Sequence, residues 1–125
     1  MKIMIVDDMK TVHVYTKTLF SDDADFEFVN CYNGQEALDA LDEGQLVDLV
    51  LLDWEMPGLT GPETLIEIKK NHPDLPVIMV TTRNSVDDMN EVREKGANEF
   101  IIKPFTKDVL LGKIEMLDDS ETLSI

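Results

Sequence analysis

The chain alternates short apolar runs with segments whose apolar residues recur at helical spacing. The runs are four to six residues long and mostly rich in β-branched residues, which is typical of strands. Stretches such as VLL and VIMV are apolar on both faces, as parallel strands covered by helices on both sides require. The predicted strands are Lys2–Val6, Phe26–Cys31, Asp48–Leu52, Pro76–Val80 and Glu99–Ile102.

Helices are predicted between these strands and after the last one. Asn33 with Glu36, and Thr60 with Glu63, have the spacing of capping boxes, and Gly44 is a natural helix stop. The fourth helix is mostly polar, with an inward stripe of Val86, Met89 and Val92. The five predicted helices are Met9–Phe20, the segment from Asn33 to Gly44, the segment TGPETLIEIKKN, roughly Asn84–Lys95, and a helix after Pro104 that ends near Leu117.

Five strand–helix units with short connections predict an α/β fold. We expect a five-stranded parallel sheet in the flavodoxin-like order 2-1-3-4-5, doubly wound by five helices through right-handed crossovers. Residues 1–120 are interpreted as one domain. The last eight residues, DDSETLSI, are polar, and we expect residues 121–125 to form a frayed C-terminal tail.

The charge balance excludes several classes of partner. The formal net charge is −15, which disfavours nucleic acid and anionic membranes but permits a cation or a basic protein surface. No apolar run approaches the ~18 residues of a membrane span, so membrane insertion is not expected. The N-terminus enters a strand directly, so we expect no signal peptide. The single cysteine, Cys31, suits a reducing compartment, and we expect a cytoplasmic protein.

Polar residues stand at the ends of most of the predicted strands. Asp7 and Asp8 follow the first strand, Asp53 the third, Thr81 the fourth and Lys103 the fifth. In open α/β sheets, ligands bind beyond the carboxyl ends of the strands. Because the first and third strands are neighbours in the expected order, we predict that the three aspartates share one pocket.

Such a pocket needs a counter-charge. Two carboxylates about 4 Å apart repel by roughly 4 kcal/mol at an effective dielectric constant of about 20. Carboxylate oxygens suit Mg²⁺, and a lysine with a threonine hydroxyl suits an anion on that metal, such as a phosphoryl group. An aspartate can also act as a nucleophile and hold the phosphoryl group covalently.

Each feature alone has a plainer explanation. Adjacent aspartates often begin a helix, a lone lysine is usually a surface residue, and most X–Pro bonds are trans. Only the combination points to chemistry. The segments VDD, LLDWEMPGLTG, VTT and IIKPF together resemble the receiver domain of two-component response regulators, closest to single-domain members of the chemotaxis CheY type. The resemblance runs from Lys2 to about Leu117.

The resemblance implies a role for each acid. Asp53 would be the phosphoacceptor, and its carboxylate and that of Asp8 would bind Mg²⁺. Asp7 would act through water or help to hold the site, and the main-chain carbonyl of Glu55 would complete the protein ligands.

The resemblance also implies a switch. Thr81 would hydrogen-bond the phosphoryl group, Lys103 would pair with it, and the Lys103–Pro104 bond would be cis. Phe100 would be the aromatic residue that turns inward when Thr81 moves. The phosphodonor would be a histidine kinase or a phosphotransfer domain, and a downstream protein would bind the surface formed by helix 4, strand 5 and helix 5.

The sequence departs from the commonest family pattern at two positions. Thr82 stands where a small residue is usual, and Phe100 lacks the hydroxyl of the usual tyrosine. Glu55 and Arg83 stand two residues after Asp53 and Thr81, and we expect their opposite charges to pair across the mouth of the pocket.

Other functions remain open at this point. A haloacid-dehalogenase-like phosphatase also uses an aspartate nucleophile and Mg²⁺, but it needs a second aspartate where Glu55 stands. A receiver that only docks would have lost Asp53, Asp8 or Lys103. The chain can also be the N-terminal receiver of a longer DNA-binding regulator. Under the leading interpretation the protein catalyses its own phosphorylation and dephosphorylation and is not a conventional metabolic enzyme.

Three further side chains receive structural interpretations. Cys31 is expected to be a small buried residue in the second strand. His13 and His72 have no metal-ligand partner at useful spacing, and we interpret both as surface residues.

Overall fold

Strands and helices alternate along the chain as the sequence pattern predicts. The structure is a computed structural model that describes the backbone of residues 1–123 and the side chains of residues 1–117. Its strands are β1 (Lys2–Val6), β2 (Glu27–Cys31), β3 (Leu49–Asp53), β4 (Val77–Thr81) and β5 (Glu99–Ile102). Its helices are α1 (Lys10–Leu19), α2 (Gly34–Asp42), α3 (Gly61–Asn71), α4 (Val86–Glu94) and α5 (Lys107–Leu123).

The strands form one parallel sheet in the order β2-β1-β3-β4-β5, which confirms the predicted fold class. Every residue of β3 and β4 is buried, because helices cover both faces of the central strands. Within the described residues, no helix is long and apolar enough to cross a membrane.

Alternate residues of each strand feed two separate cores. Met4 and Val6 of β1 pack into a core under α2, α3 and α4, whereas Ile3 and Ile5 pack into a core under α1 and α5. This follows from the period of two in strand side chains. The sheet is therefore held from both sides, and its carboxyl edge has fixed positions for the residues that end each strand.

The register brings the strand-end residues together. Val6 pairs with Leu52, and Asp53 pairs with Val80 on the far side of β3. Asp7 directly follows Val6, and Asp53 directly follows Leu52. Because Val6 and Leu52 are paired, the two aspartates lie side by side at the same edge of the sheet. Asp53 is the last residue of its strand, where the sequence pattern placed it just beyond the end.

Two helices differ from the sequence prediction. Val86 is 70% exposed, so its predicted inward position is wrong. The reason is that α4 begins at Val86 after the cap Ser85, and six residues at 3.6 per turn place Val86 about 120° around the helix from Val92, its one buried residue. Helix α5 runs to Leu123, beyond the predicted end near Leu117, because no glycine or proline follows Gly112 to stop it. Residues 124–125 of the predicted tail lie outside the described residues.

The end of β3 is held against the start of α3. Thr60 and Glu63 form a full capping box, as predicted, and the Gly61 amide donates a 2.7 Å hydrogen bond to the Trp54 carbonyl. A Cβ atom on Gly61 would lie 2.2 Å from the carbonyl oxygen of Asp53. Gly61 is thus required by close backbone contact beside Asp53.

The close contact at Gly61 predicts opposite effects for two alanine substitutions. Gly61→Ala forces the backbone of β3 and α3 apart and should lower the free energy of unfolding by about 3 kcal/mol. Gly112→Ala meets no atom within 4 Å and lies inside α5, so it should raise that energy by about 0.5–1 kcal/mol. Urea unfolding of both variants measures these changes. A Gly61→Ala protein as stable as the parent would contradict the assigned packing.

Candidate functional site

A lysine ammonium lies between two aspartates at the carboxyl edge of the sheet. The Lys103 Nζ atom donates hydrogen bonds to Asp7 Oδ2 at 2.9 Å and to Asp53 Oδ1 at 3.0 Å. Both carboxylates are buried, and the Lys103 side chain is 20% exposed. The three residues follow or end β1, β3 and β5, which shows that the sheet assembles them from distant parts of the chain.

Asp8 completes a group of three carboxylates. One oxygen of each of Asp7, Asp8 and Asp53 lies within 4.8 Å of the other two. Asp7 and Asp53 are buried, whereas Asp8 is exposed. Hard carboxylate oxygens at this spacing, with one ligand open to solvent, fit a Mg²⁺ ion that keeps several waters. The predicted clustering of the three aspartates is therefore seen, and the group could hold a metal ion.

Burial and neighbouring charge act against each other at Asp53. Burial raises its pKa, the hydrogen bond from Lys103 lowers it, the charges of Asp7 and Asp8 raise it, and the net direction is upward. For Lys103, burial lowers the pKa, but the hydrogen bonds to Asp7 and Asp53 outweigh burial and raise it overall. The lysine is therefore held in its charged form, while ionised Asp53 is stabilised less than it would be in water.

Thr81 ends the neighbouring strand and is buried. Its hydroxyl oxygen accepts a 3.1 Å hydrogen bond from the Arg83 amide, and its carbonyl accepts a 2.8 Å bond from the Lys103 amide. Among the described residues the Thr81 hydroxyl only accepts, so its own proton can be donated to a ligand. The Lys103–Pro104 peptide bond is cis.

Phe100 lies on β5, away from the acids. It is half-buried, pairs with Met79 in register and packs against the core under α2, α3 and α4. It also lines a groove of about 450 Å³ along α4, β5 and α5. Phe100 therefore lies on the strand that leads to Lys103 and also reaches the outer surface.

Arg83 joins the loops after β3 and β4. Its guanidinium lies 2.7 Å from the Glu55 carboxylate, which confirms the predicted ion pair. It also lies 4.7 Å from the centre of the Trp54 ring and 3.6 Å from Asp88 at the start of α4. The stacking on Trp54 was missed from the sequence. The contacts of Glu55 involve its side chain, so the metal role of its main-chain carbonyl stays a prediction.

His13 is a second residue that sequence reasoning placed wrongly. It is 2% exposed, and its ring nitrogens lie 2.8 Å from the Asp7 carbonyl and 2.9 Å from the Asn30 side chain. The signal was present in the spacing of His13 and Thr16 of α1 and of Phe20 directly after it, which are all buried and stand at i, i+3 and i+7. Because His13 and Thr16 are polar, this spacing was not recognised as a buried face. The predicted burial of Cys31 is confirmed, and burial, with the nearby Glu36 charge, raises the pKa of its thiol to about 11.

Comparison with known proteins settles the family. A family model for the response regulator receiver domain matches residues 3–115. The chain belongs to the response regulator receiver family. The receiver is 37% identical over 119 residues to the chemotaxis protein CheY of Pseudomonas aeruginosa, covering 94% of this chain and 95% of that protein.

Solved structures give the same result. A CheY-like receiver domain protein from Methanospirillum hungatei superposes on the receiver with a TM-score of 0.85 at 31% identity, covering 97% and 96% of the two chains. NtrX from Brucella abortus matches with a TM-score of 0.84 at 31% identity, covering 98% of this chain but 28% of NtrX. The same receiver fold thus occurs both in proteins of this length and inside longer ones.

The charge balance of the pocket predicts that Asp53 lowers stability when no metal is present. Because the folded-state pKa of Asp53 is raised, its ionised form is disfavoured in the fold, and wild-type stability should fall as pH rises from the ordinary aspartate pKa through the raised one. At neutral pH in EDTA, Asp53→Asn should therefore be more stable by about 1 kcal/mol, a rise in Tm of about 4 °C.

Thermal unfolding with and without Mg²⁺ measures this effect. Mg²⁺ should raise the Tm of the wild type by mass action and raise that of Asp8→Ala much less. Asp22→Asn, in the exposed loop after α1, is the matched control and should behave as wild type. A lower Tm for Asp53→Asn in EDTA would show that the carboxylate is structural.

Proposed function

We propose that this receiver is a phosphorylation-activated signalling switch that accepts a phosphoryl group onto Asp53 in the presence of Mg²⁺. The donor is the phosphohistidine of a histidine kinase or phosphotransfer domain. The single observation that carries the proposal is the geometry of Asp53, a buried carboxylate within one group with Asp7 and Asp8 and 3.0 Å from Lys103 Nζ. Membership of the receiver family supports it.

The reaction uses the residues of the pocket in separate roles. A carboxylate oxygen of Asp53 attacks phosphorus, the bond from phosphorus to the donor imidazole nitrogen breaks, and the imidazole leaves with its electron pair. Lys103 is charged and already within reach of Asp53, so it can pair with the phosphoryl oxygens. Asp7, Asp8 and Asp53 would hold Mg²⁺, together with the Glu55 carbonyl. When bound, the metal neutralises charge that develops on the phosphoryl oxygens.

The remaining pocket groups link phosphorylation to the surface. The Thr81 hydroxyl has a free proton that can be donated to a phosphoryl oxygen. In this proposal Thr81 moves toward the phosphoryl group, and Phe100 turns inward into the space that it leaves. A dehalogenase-like phosphatase needs an aspartate where Glu55 stands, and the Glu55 carboxylate is paired with Arg83, so the residues present disfavour that alternative.

Small phosphodonors test the assignment of Asp53. Acetyl phosphate with Mg²⁺ should add one phosphoryl group to the wild type, seen by intact mass, and Asp53→Ala should gain none. Asp22→Asn is again the control, because it keeps the same charge change away from the pocket. An Asp53→Ala protein that is labelled at the wild-type rate would refute the assignment.

The output surface is proposed to comprise α4, β5 and α5, with a downstream protein as partner. Two observations support it: α4 has one buried residue, Val92, and the groove beside it is lined by Phe100. A helix held by so few buried contacts can take up two positions of similar energy, as a switch requires. The similarity to CheY proteins favours chemotaxis or motility as the pathway. We propose the cytoplasm as the location, which the single cysteine also favours.

Amide hydrogen exchange tests the output surface. Addition of beryllofluoride with Mg²⁺ should change exchange most across residues 81–105, and the same addition to Asp53→Ala should change nothing. Changes confined to α1 and α2 would refute the surface, while leaving phosphorylation at Asp53 intact.

A further inference from the structure

We propose that His13 is a positioning residue that fixes the peptide unit joining Asp7 to Asp8 and thereby raises the affinity of the pocket for Mg²⁺. The inference rests on the proposed Mg²⁺ site. It concerns a buried side chain that takes no part in the phosphoryl transfer described above.

The His13 ring contacts the backbone of the acidic pair directly. Its Nε2 atom lies 2.8 Å from the carbonyl oxygen of Asp7. A carbonyl oxygen only accepts hydrogen bonds, so Nε2 carries a proton and donates it. The bond is buried, where a hydrogen bond is not weakened by exchange with water. The orientation of the Asp7 carbonyl is therefore set by a side chain of α1.

Two further contacts hold the His13 ring in place. Its Nδ1 atom lies 2.9 Å from the side-chain Oδ1 of Asn30 on β2, and the Tyr32 ring packs against the imidazole with ring centroids 4.5 Å apart. With 2% of its surface exposed, His13 has little freedom to rotate. It connects α1, the end of β1 and β2 at one point, so the Asp7 carbonyl is positioned relative to three elements of the fold.

The other polar groups of Asp7 are also hydrogen-bonded. The Asp7 amide donates to the Cys31 carbonyl at 3.1 Å, and the Asp7 carboxylate oxygens accept from the Met9 amide and from Lys103, each at 2.9 Å. With His13 on the carbonyl, every polar group of Asp7 has a partner.

Asp8 depends on this anchoring because its own side chain is exposed. The peptide unit is planar, so fixing the Asp7 carbonyl also fixes the amide nitrogen of Asp8 and the direction in which its Cα leaves the strand. Packing does not hold the Asp8 carboxylate in place. Its position near Asp53 is therefore determined by the backbone from which it projects. Loss of the hydrogen bond from His13 should let the peptide between Asp7 and Asp8 rotate, which would move the Asp8 carboxylate away from those of Asp7 and Asp53.

Groups that orient metal ligands typically contribute about tenfold or more to metal affinity. Two variants separate the hydrogen bond from the packing. His13→Gln keeps an amide N–H that can reach the Asp7 carbonyl, while His13→Met has nearly the same shape without a donor. If His13 acts only by filling space, the two variants should bind Mg²⁺ alike.

The experiment titrates each full chain with Mg²⁺ and follows the fluorescence of Trp54, the one tryptophan, which adjoins Asp53. His13→Met should bind Mg²⁺ about tenfold more weakly than wild type, and His13→Gln should stay within about threefold. The rate of phosphorylation by acetyl phosphate should fall for His13→Met at low Mg²⁺ and return to the wild-type rate at saturating Mg²⁺. Ile114→Val, a core change in α5, should lower the Tm and leave Mg²⁺ affinity unchanged.

Several results would overturn the proposal. They are wild-type affinity in His13→Met, equal losses in His13→Met and His13→Gln, or a rate defect that persists at saturating Mg²⁺. If His13→Met does not fold, Asn30→Ala decides, because it frees the ring on its other side. About threefold weaker binding supports the proposal, and unchanged binding overturns it. A wild type that binds no Mg²⁺ would refute the proposed function itself. If wild type binds Mg²⁺ but the variants give any of these overturning results, only the role of His13 is refuted.

Discussion

The Lys103 ammonium between Asp7 and Asp53 is the interaction on which the rest of the site depends. It supplies the counter-charge that lets two carboxylates stay buried side by side, and its Nζ lies within 3.0 Å of both. The parallel sheet makes this possible, because all strands end at one edge and side chains from separate strands converge there. A charged lysine at this edge would also attract the phosphoryl group of the proposed reaction.

The buried carboxylate of Asp53 lowers the stability of the fold when no metal is bound. Burial raises the pKa of Asp53, so the ionised form, which is the nucleophile of the proposed reaction, is the form that the fold stabilises less. A strand end without the carboxylate would be more stable without metal, as active sites often show. The surrounding contacts limit the cost. Lys103 pairs with both acids, and Asp7 is bonded at each of its polar groups, including the carbonyl that accepts from His13.

Much of the fold and part of the site followed from local pattern. Strand and helix order, the capping box at Thr60, the clustering of the three aspartates and the Glu55–Arg83 pair were all predicted and are present. The errors have specific causes. Val86 was included in the inward stripe of α4, but it is the first residue of that helix and lies about 120° around it from Val92, the one residue that is buried. His13 is polar, and helical spacing alone does not show that it is buried against a carbonyl that accepts a hydrogen bond from it.

The sequence by itself determined which residues end the strands, because short apolar runs followed by Asp, Thr or Lys are local features. It also determined the family, because the motifs that carry it are contiguous segments. Only the tertiary structure decided which partners those residues have. Lys103 and Asp7 are 96 positions apart, and His13 and Asn30 are 17 apart. Such contacts depend on register, burial and the direction of side chains from separate elements, and hydrogen bonds between buried groups form only once those elements have packed.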